Sequence, residues 1–136
     1  MIPKKVRIGL YTFKVIITEQ PIYRFEEDGA KYLDGRINTR LEQIQINGED
    51  TTERTRVQVL MHEIIHGILN QGGFQDHNEE FVECLSFGLI PLIRDNPDLI
   101  KAILDFEVDT NEQPDESASG RTDSPAPGVQ SGSSTD

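Results

Sequence analysis

The chain has 136 residues, 24 acidic and 13 basic side chains and a formal net charge of −11, which allows one small domain and little more. An isoelectric point near 4.6 argues against a nucleic-acid partner, because affinity for phosphates rests on clustered Lys and Arg, and the nearest thing to a basic run is Lys4, Lys5 and Arg7. No window approaches the apolar length of a membrane span, and the single cysteine, Cys84, rules out an internal disulfide framework and a cysteine-based zinc finger. The opening Met1-Ile-Pro-Lys-Lys lacks the apolar core of a signal peptide, so a reducing cytoplasm is the expected compartment.

In chain order, Val6 to Ile8 and Thr12 to Thr18 are β-rich runs broken near Gly9 and predict a hairpin. Residues 19–31 hold Pro21, the charge run Glu26-Glu27-Asp28 and Gly29, and predict a loop. A second strand pair is expected from Tyr32 and Leu33 towards Ile37, and from Leu41 through Ile44 and Ile46 to the turn at Asn47-Gly48, where the alternation is that of a strand with one buried face.

Asp50 or Thr51 then offers a helix cap, with Glu53 in the first turn. Val57, Leu60, Met61, Ile64 and Ile68 recur at helical spacing, so residues 52–70 should form a helix with that stripe on the core, ended by Gly72-Gly73. Asn78 can cap a second helix carrying Phe81, Leu85, Gly88, Leu89 and Leu92, which Pro91 can kink. Asn96-Pro97 marks a boundary before a short third helix with Leu99, Ile100, Ile103 and Leu104.

Residues 107–136 hold seven acids against Arg121 and only Val108, Ala118, Ala126 and Val129 as aliphatic content. Such a tail cannot bury enough surface to offset ordering entropy and is expected to be disordered. The folded unit is therefore residues 1–106, an α+β domain in which two N-terminal hairpins form a small antiparallel sheet ahead of three helices.

The chemistry lies in His62-Glu63-Ile64-Ile65-His66, an H-E-x-x-H pattern that arises by chance roughly 0.006 times in a chain of this composition. At 3.6 residues per turn the two histidines project from one helix face and can grip one metal ion. Glu63 beside them can take the proton of a water whose pKa a zinc ion has lowered. A catalytic zinc needs a third protein ligand, and the metzincin continuation does not supply it, since Gly72 stands where that pattern has its third histidine.

The remaining candidates lie within Asp76-His77-Asn78-Glu79-Glu80-Phe81-Val82-Glu83. Glu79 and Glu83 are four apart and share a helix face, so one can bind metal while the other orients a ligating histidine. His77 is open to three readings: a third ligand, a donor that stabilises a tetrahedral oxyanion, or a polar loop residue. Cys84 is expected to be a small buried hydrophobe, and Gly67 permits close approach of another segment.

MHEIIHGIL, followed by NEEFVECLSFGL and RDNPDL, resembles the small phage-encoded zinc peptidases, relatives of the minimal gluzincins and of the ImmA/IrrE-like metallopeptidases, most strongly over residues 55–100. The resemblance implies a zincin-like fold and one zinc ion per chain held by His62, His66 and a glutamate, with Glu63 as general base. By pattern that glutamate is Glu79, with Glu80 as its nearest rival and Glu83 orienting a histidine from behind. It implies a peptide or protein substrate and, for a phage product, the host cytoplasm. A sheet-edge strand beside the motif helix, with Leu41 to Asn47 as the candidate, would hold an extended peptide by strand addition. The competing expectation is a non-catalytic, zinc-stabilised phage protein-binding module in which His77 or a partner closes the coordination.

Overall fold

The structure, a computed structural model, describes residues 1–106; the expectation of a disordered acidic tail lies outside the described residues. Strands β1 (Lys5–Ile8) and β2 (Tyr11–Thr18) form the expected antiparallel hairpin, with Val6 opposite Phe13 and Ile8 opposite Tyr11. Gly9 turns it with φ at +57°, a left-handed conformation that costs glycine nothing.

Residues 19–31 are not a loop. They carry β3 (Ile22–Glu26) and most of β4 (Gly29–Leu33), a second hairpin that forms its own two-stranded sheet. Gly29, at φ +127°, supplies the backbone freedom at the turn, and Tyr23 and Tyr32 pack edge to face across the strands with centroids 6.0 Å apart. Tyr32 and Leu33 thus belong to this hairpin rather than to the strand that follows.

Strand β5 (Gly35–Asn38) pairs antiparallel with β6 (Gln43–Asn47), and β6 lies beside β2, giving the order β1-β2-β6-β5. The β2–β6 pairing is parallel, with Val15 opposite Ile44 and Ile17 opposite Ile46, so the four-stranded sheet is mixed instead of purely antiparallel. Two consequences follow for the site. The Leu41–Asn47 segment expected as an edge is interior, covered by β2 on one side and β5 on the other. The edges of the sheet are β1 and β5, and β5 is the one that lies along the motif helix.

The link from β6 into the first helix, α1 (Glu53–Gln71), is held by side chains. Thr51 Oγ1 donates to the Asn47 carbonyl at 2.9 Å, and Arg56 reaches both Thr51 Oγ1 and the Gly48 carbonyl at 2.9 Å. The cap is Thr52, whose Oγ1 accepts from the Thr55 amide at 3.2 Å. The expected Asp50 and Thr51 are taken up by the turn, Asp50 at a left-handed φ of +51°.

Against one face of the sheet α1 buries Leu60, with Ile64 and Val59 packed alongside, over Ile8, Phe13, Val15, Ile44 and Ile46. Each such side chain contributes roughly 1.5–3 kcal/mol by leaving water. Gly67 lets helix and sheet come close: a Cβ there would stand 2.8 Å from the Ile37 methyl and 2.9 Å from that of Ile8. The expected core stripe is only partly right, since Val57 and Ile68 are exposed while Glu63, Ile65 and Gly67 are buried. Helix α1 is covered on two sides, by the sheet and by the next helix, and a single stripe cannot describe that.

Helix α2 (Glu79–Asp95) packs on α1 and α3 (Pro97–Leu104) on α2. Asn78 caps α2 as expected, its Oδ1 accepting from the Phe81 amide at 2.9 Å. Helix α2 turns Val82 and Ser86 inward, not Phe81 and Leu92, which are exposed. No helix among the described residues is long and apolar enough to cross a membrane.

Candidate metal centre

Helix α1 presents His62 and His66 one turn apart, with rings 4.7 Å between centroids. The first turn of α2 brings Glu79 to meet them, because the Asn78 cap fixes where that helix starts. Their ligand atoms converge: His62 Nε2 lies 3.0 Å from His66 Nε2 and 3.2 Å from Glu79 Oε2, and His66 Nε2 lies 3.4 Å from the same oxygen. Donors roughly 2.0–2.1 Å from a tetrahedral zinc stand roughly 3.3 Å from one another. The three residues thus form a His–His–Glu group that could hold a metal ion. Glu80 is exposed and outside this group.

His77 stands behind His66, the two rings edge to edge with their planes within 21° of each other. Its Nε2 is 2.9 Å from the Phe74 carbonyl and its Nδ1 is 2.6 Å from His66 Nδ1. The tautomers follow from the acceptors. A carbonyl only accepts, so His77 Nε2 carries a proton and its Nδ1, in the neutral ring, is a lone pair. His66 Nδ1–H then donates to that lone pair, which leaves His66 Nε2 as a lone pair aimed at His62 and Glu79. Both ring nitrogens of His77 are engaged, so it offers the centre neither a third ligand nor a free donor. Glu83 lines the same cleft, but among the described residues its carboxylate makes no hydrogen bond to either histidine; its carbonyl accepts from Ser86 Oγ at 2.8 Å. The supporting place expected of Glu83 is occupied by His77.

Glu63 is 7% exposed. Burial pushes its carboxyl up to about 7, a rise that the backbone amide of Ile37 moderates and the charge of Glu79 reinforces. Burial also holds the His66 imidazole below its ordinary value, opposed by the neighbouring Glu79 carboxylate. Gly35 is what lets β5 lie against Glu63, since a Cβ there would stand 3.1 Å from Glu63 Oε1 and 2.4 Å from Val59. Cys84 is exposed and outside the group, not the buried hydrophobe expected.

The chain matches no protein-family model, no curated protein and no solved structure.

The centre opens on a cleft of about 950 Å³, walled by β5, α1, α2 and the β3–β4 hairpin, which contributes Arg24, Lys31 and Tyr32. Asn47 donates its amide to the Asp34 carbonyl at 2.8 Å, so strand alternation turns the amides and carbonyls of Gly35 and Ile37 away from β6, towards the open side of β5. Sequence reasoning missed β5 and the hairpin as parts of the site. The lone Gly35 inside a strand pattern is the signal that points to a close backbone approach there.

Proposed function

We propose that this chain is a zinc-dependent peptidase that hydrolyses peptide bonds in the cleft between β5 and the α1–α2 pair. The observation that carries the reading is the convergence of His62 Nε2, His66 Nε2 and Glu79 Oε2 at 3.0–3.4 Å next to a buried carboxylate on an open cleft. When bound there, zinc supplies a Lewis acid that polarises a carbonyl and lowers the pKa of a water it binds.

The chain's own residues do the rest. Glu63, buried beside the site, accepts a proton from the attacking water at its carboxylate and returns it to the leaving amine. His77 is a positioning residue that fixes the tautomer and ring orientation of His66. The outward Gly35 amide and the Gly35 and Ile37 carbonyls of β5 pair with an extended substrate backbone by strand addition, the Ile37 amide being taken by Glu63. His77 is engaged with His66 and Phe74, which favours this reading over a zinc-stabilised binding module, where His77 closes the coordination.

The test is zinc content by elemental analysis, together with hydrolysis of an unstructured protein, for wild type, Glu79→Ala, Glu80→Ala and Glu63→Gln. The expected result is about one zinc per chain, lost in Glu79→Ala and kept in the other two variants. Hydrolysis should fall by roughly 10²–10⁴-fold in Glu63→Gln. Full activity in Glu63→Gln, or no zinc in wild type, sinks the reading.

A further inference from the structure

We propose that the chain forms a symmetric dimer through the apolar face of α2 and α3, on the side of the helical layer away from the metal centre. At 100° per residue, Phe81, Leu85, Gly88 and Leu92 fall within about 60° of one another and on the far side of α2 from Glu79 and Glu83, which face the cleft. Phe81 and Leu92 are 54% and 47% exposed. Helix α3 is two-faced in the same way. Its Lys101–Asp105 ion pair marks one face, the other holds Leu99, Ile103 and Leu104, and no residue of α3 is buried. Phe106 extends this surface at 73% exposed.

Six large side chains about half exposed or more leave on the order of 600 Å² of apolar surface, taking 150–200 Å² for a free one. That is at the top of the range of about 300–600 Å² that the largest patch of a monomer spans. It matches the apolar part of a standard interface, about 800 Å² per partner of which roughly 65% is apolar.

Charge confines the contact to this face. Every copy carries −11, so two copies repel through most of their surface, yet the stripe from Phe81 to Leu92 holds no charged side chain. Glu80, Asp95 and Asp98 border it and disfavour an anionic lipid surface. An apolar face is complementary to itself, which is what a two-fold contact requires. Gly88, with open space where a Cβ would stand, lets two α2 helices cross closely. Both clefts then open outward.

Sedimentation of the full chain from about 1 to about 200 µM, with its metal bound, tests this. Wild type should reach twice the 15.3 kDa chain mass and associate more tightly as salt screens the repulsion. Leu92→Lys and Ile103→Lys, at exposed positions that leave the circular dichroism unchanged, should each weaken association roughly hundred-fold or more. Phe25→Lys, on the β3–β4 hairpin and more exposed still in wild type, should leave it unaltered. A wild-type chain that stays monomeric overturns the proposal, as does a dimer indifferent to Leu92→Lys and Ile103→Lys. So does a monomer that binds neutral phosphatidylcholine vesicles through this face.

Discussion

The flank of α1 that faces the sheet sets Leu60 and Ile64 over Phe13 and Ile44 and Gly67 against Ile8 and Ile37, while the flank about a third of a turn round sets His62, Glu63 and His66 against β5 and α2. The first flank is held by area. Its side chains have no polar atoms to satisfy, and what they require of one another is volume. The second is held by atoms: each nitrogen or oxygen has a particular partner at 2.6–3.4 Å. A donor set of that precision stays in place only if the rotation of α1 about its axis is fixed, and the apolar flank fixes it.

Emptying the apolar flank gives the largest effect. Phe13 is fully buried on β2, and Phe13→Ala should cost about 3–5 kcal/mol through lost transfer energy and the cavity left behind, read as the shift in the urea midpoint of the zinc-loaded protein. If the two flanks are coupled, zinc affinity falls in the same variant although residue 13 touches no ligand. An unchanged affinity would show that the metal centre holds its own geometry.

The polar flank carries a cost that the apolar one does not, and pH exposes it. In metal-free protein the Glu63 carboxyl sits at about 7 against an ordinary 4.5. Between those values the folded chain keeps a proton that the unfolded chain has released. Stability is therefore full below about pH 4.5 and falls as pH rises to 7. The loss is about 3–4 kcal/mol, at about 1.4 kcal/mol for each pH unit between those values. His66, held below its ordinary value, acts in the opposite sense below about 6.5, so the difference between wild type and Glu63→Gln isolates the carboxyl. Urea midpoints in EDTA at several pH values should show wild type losing stability relative to Glu63→Gln as pH rises; parallel curves would show that Glu63 is solvated.

How the two flanks read from sequence also differs. The histidine pair, its neighbouring glutamate and the Asn78 cap that delivers Glu79 are local in the chain, with spacing set by one helical turn or one capping contact, and all were legible. The apolar pattern was less so. Phe81, Leu85, Gly88 and Leu92 make as good a stripe on paper as Val82 and Ser86 make a poor one, yet the second pair faces α1. Nothing within a helix states which neighbour will cover it. The parallel β2–β6 pairing joins residues nearly thirty apart, which no local pattern records, and the β3–β4 hairpin turns Tyr23 and Phe25 to solvent, so it did not leave the alternation by which strands are recognised. Partnership between His66 and His77 was hidden for the same reason: it depends on where the loop before α2 folds back, with Phe74 as its anchor.

That partnership gives the smallest and most discriminating test. If His77 acts only by holding His66, His77→Ala removes one hydrogen bond from behind a ligand and leaves the donor set intact, so zinc binding should weaken by about 10–100-fold while kcat at saturating zinc stays near wild type. His77→Gln, which can still accept at its side-chain oxygen from His66 Nδ1–H, should recover most of the affinity. A residue that stabilised an oxyanion would show the reverse pattern, with zinc affinity kept and kcat lost, and a third ligand would show no rescue by Gln beyond that of Ala. Titration of zinc against a competing chelator, alongside kcat at fixed free zinc, separates the three because positioning is the only role that moves affinity, spares turnover and accepts a neutral hydrogen-bond acceptor in exchange.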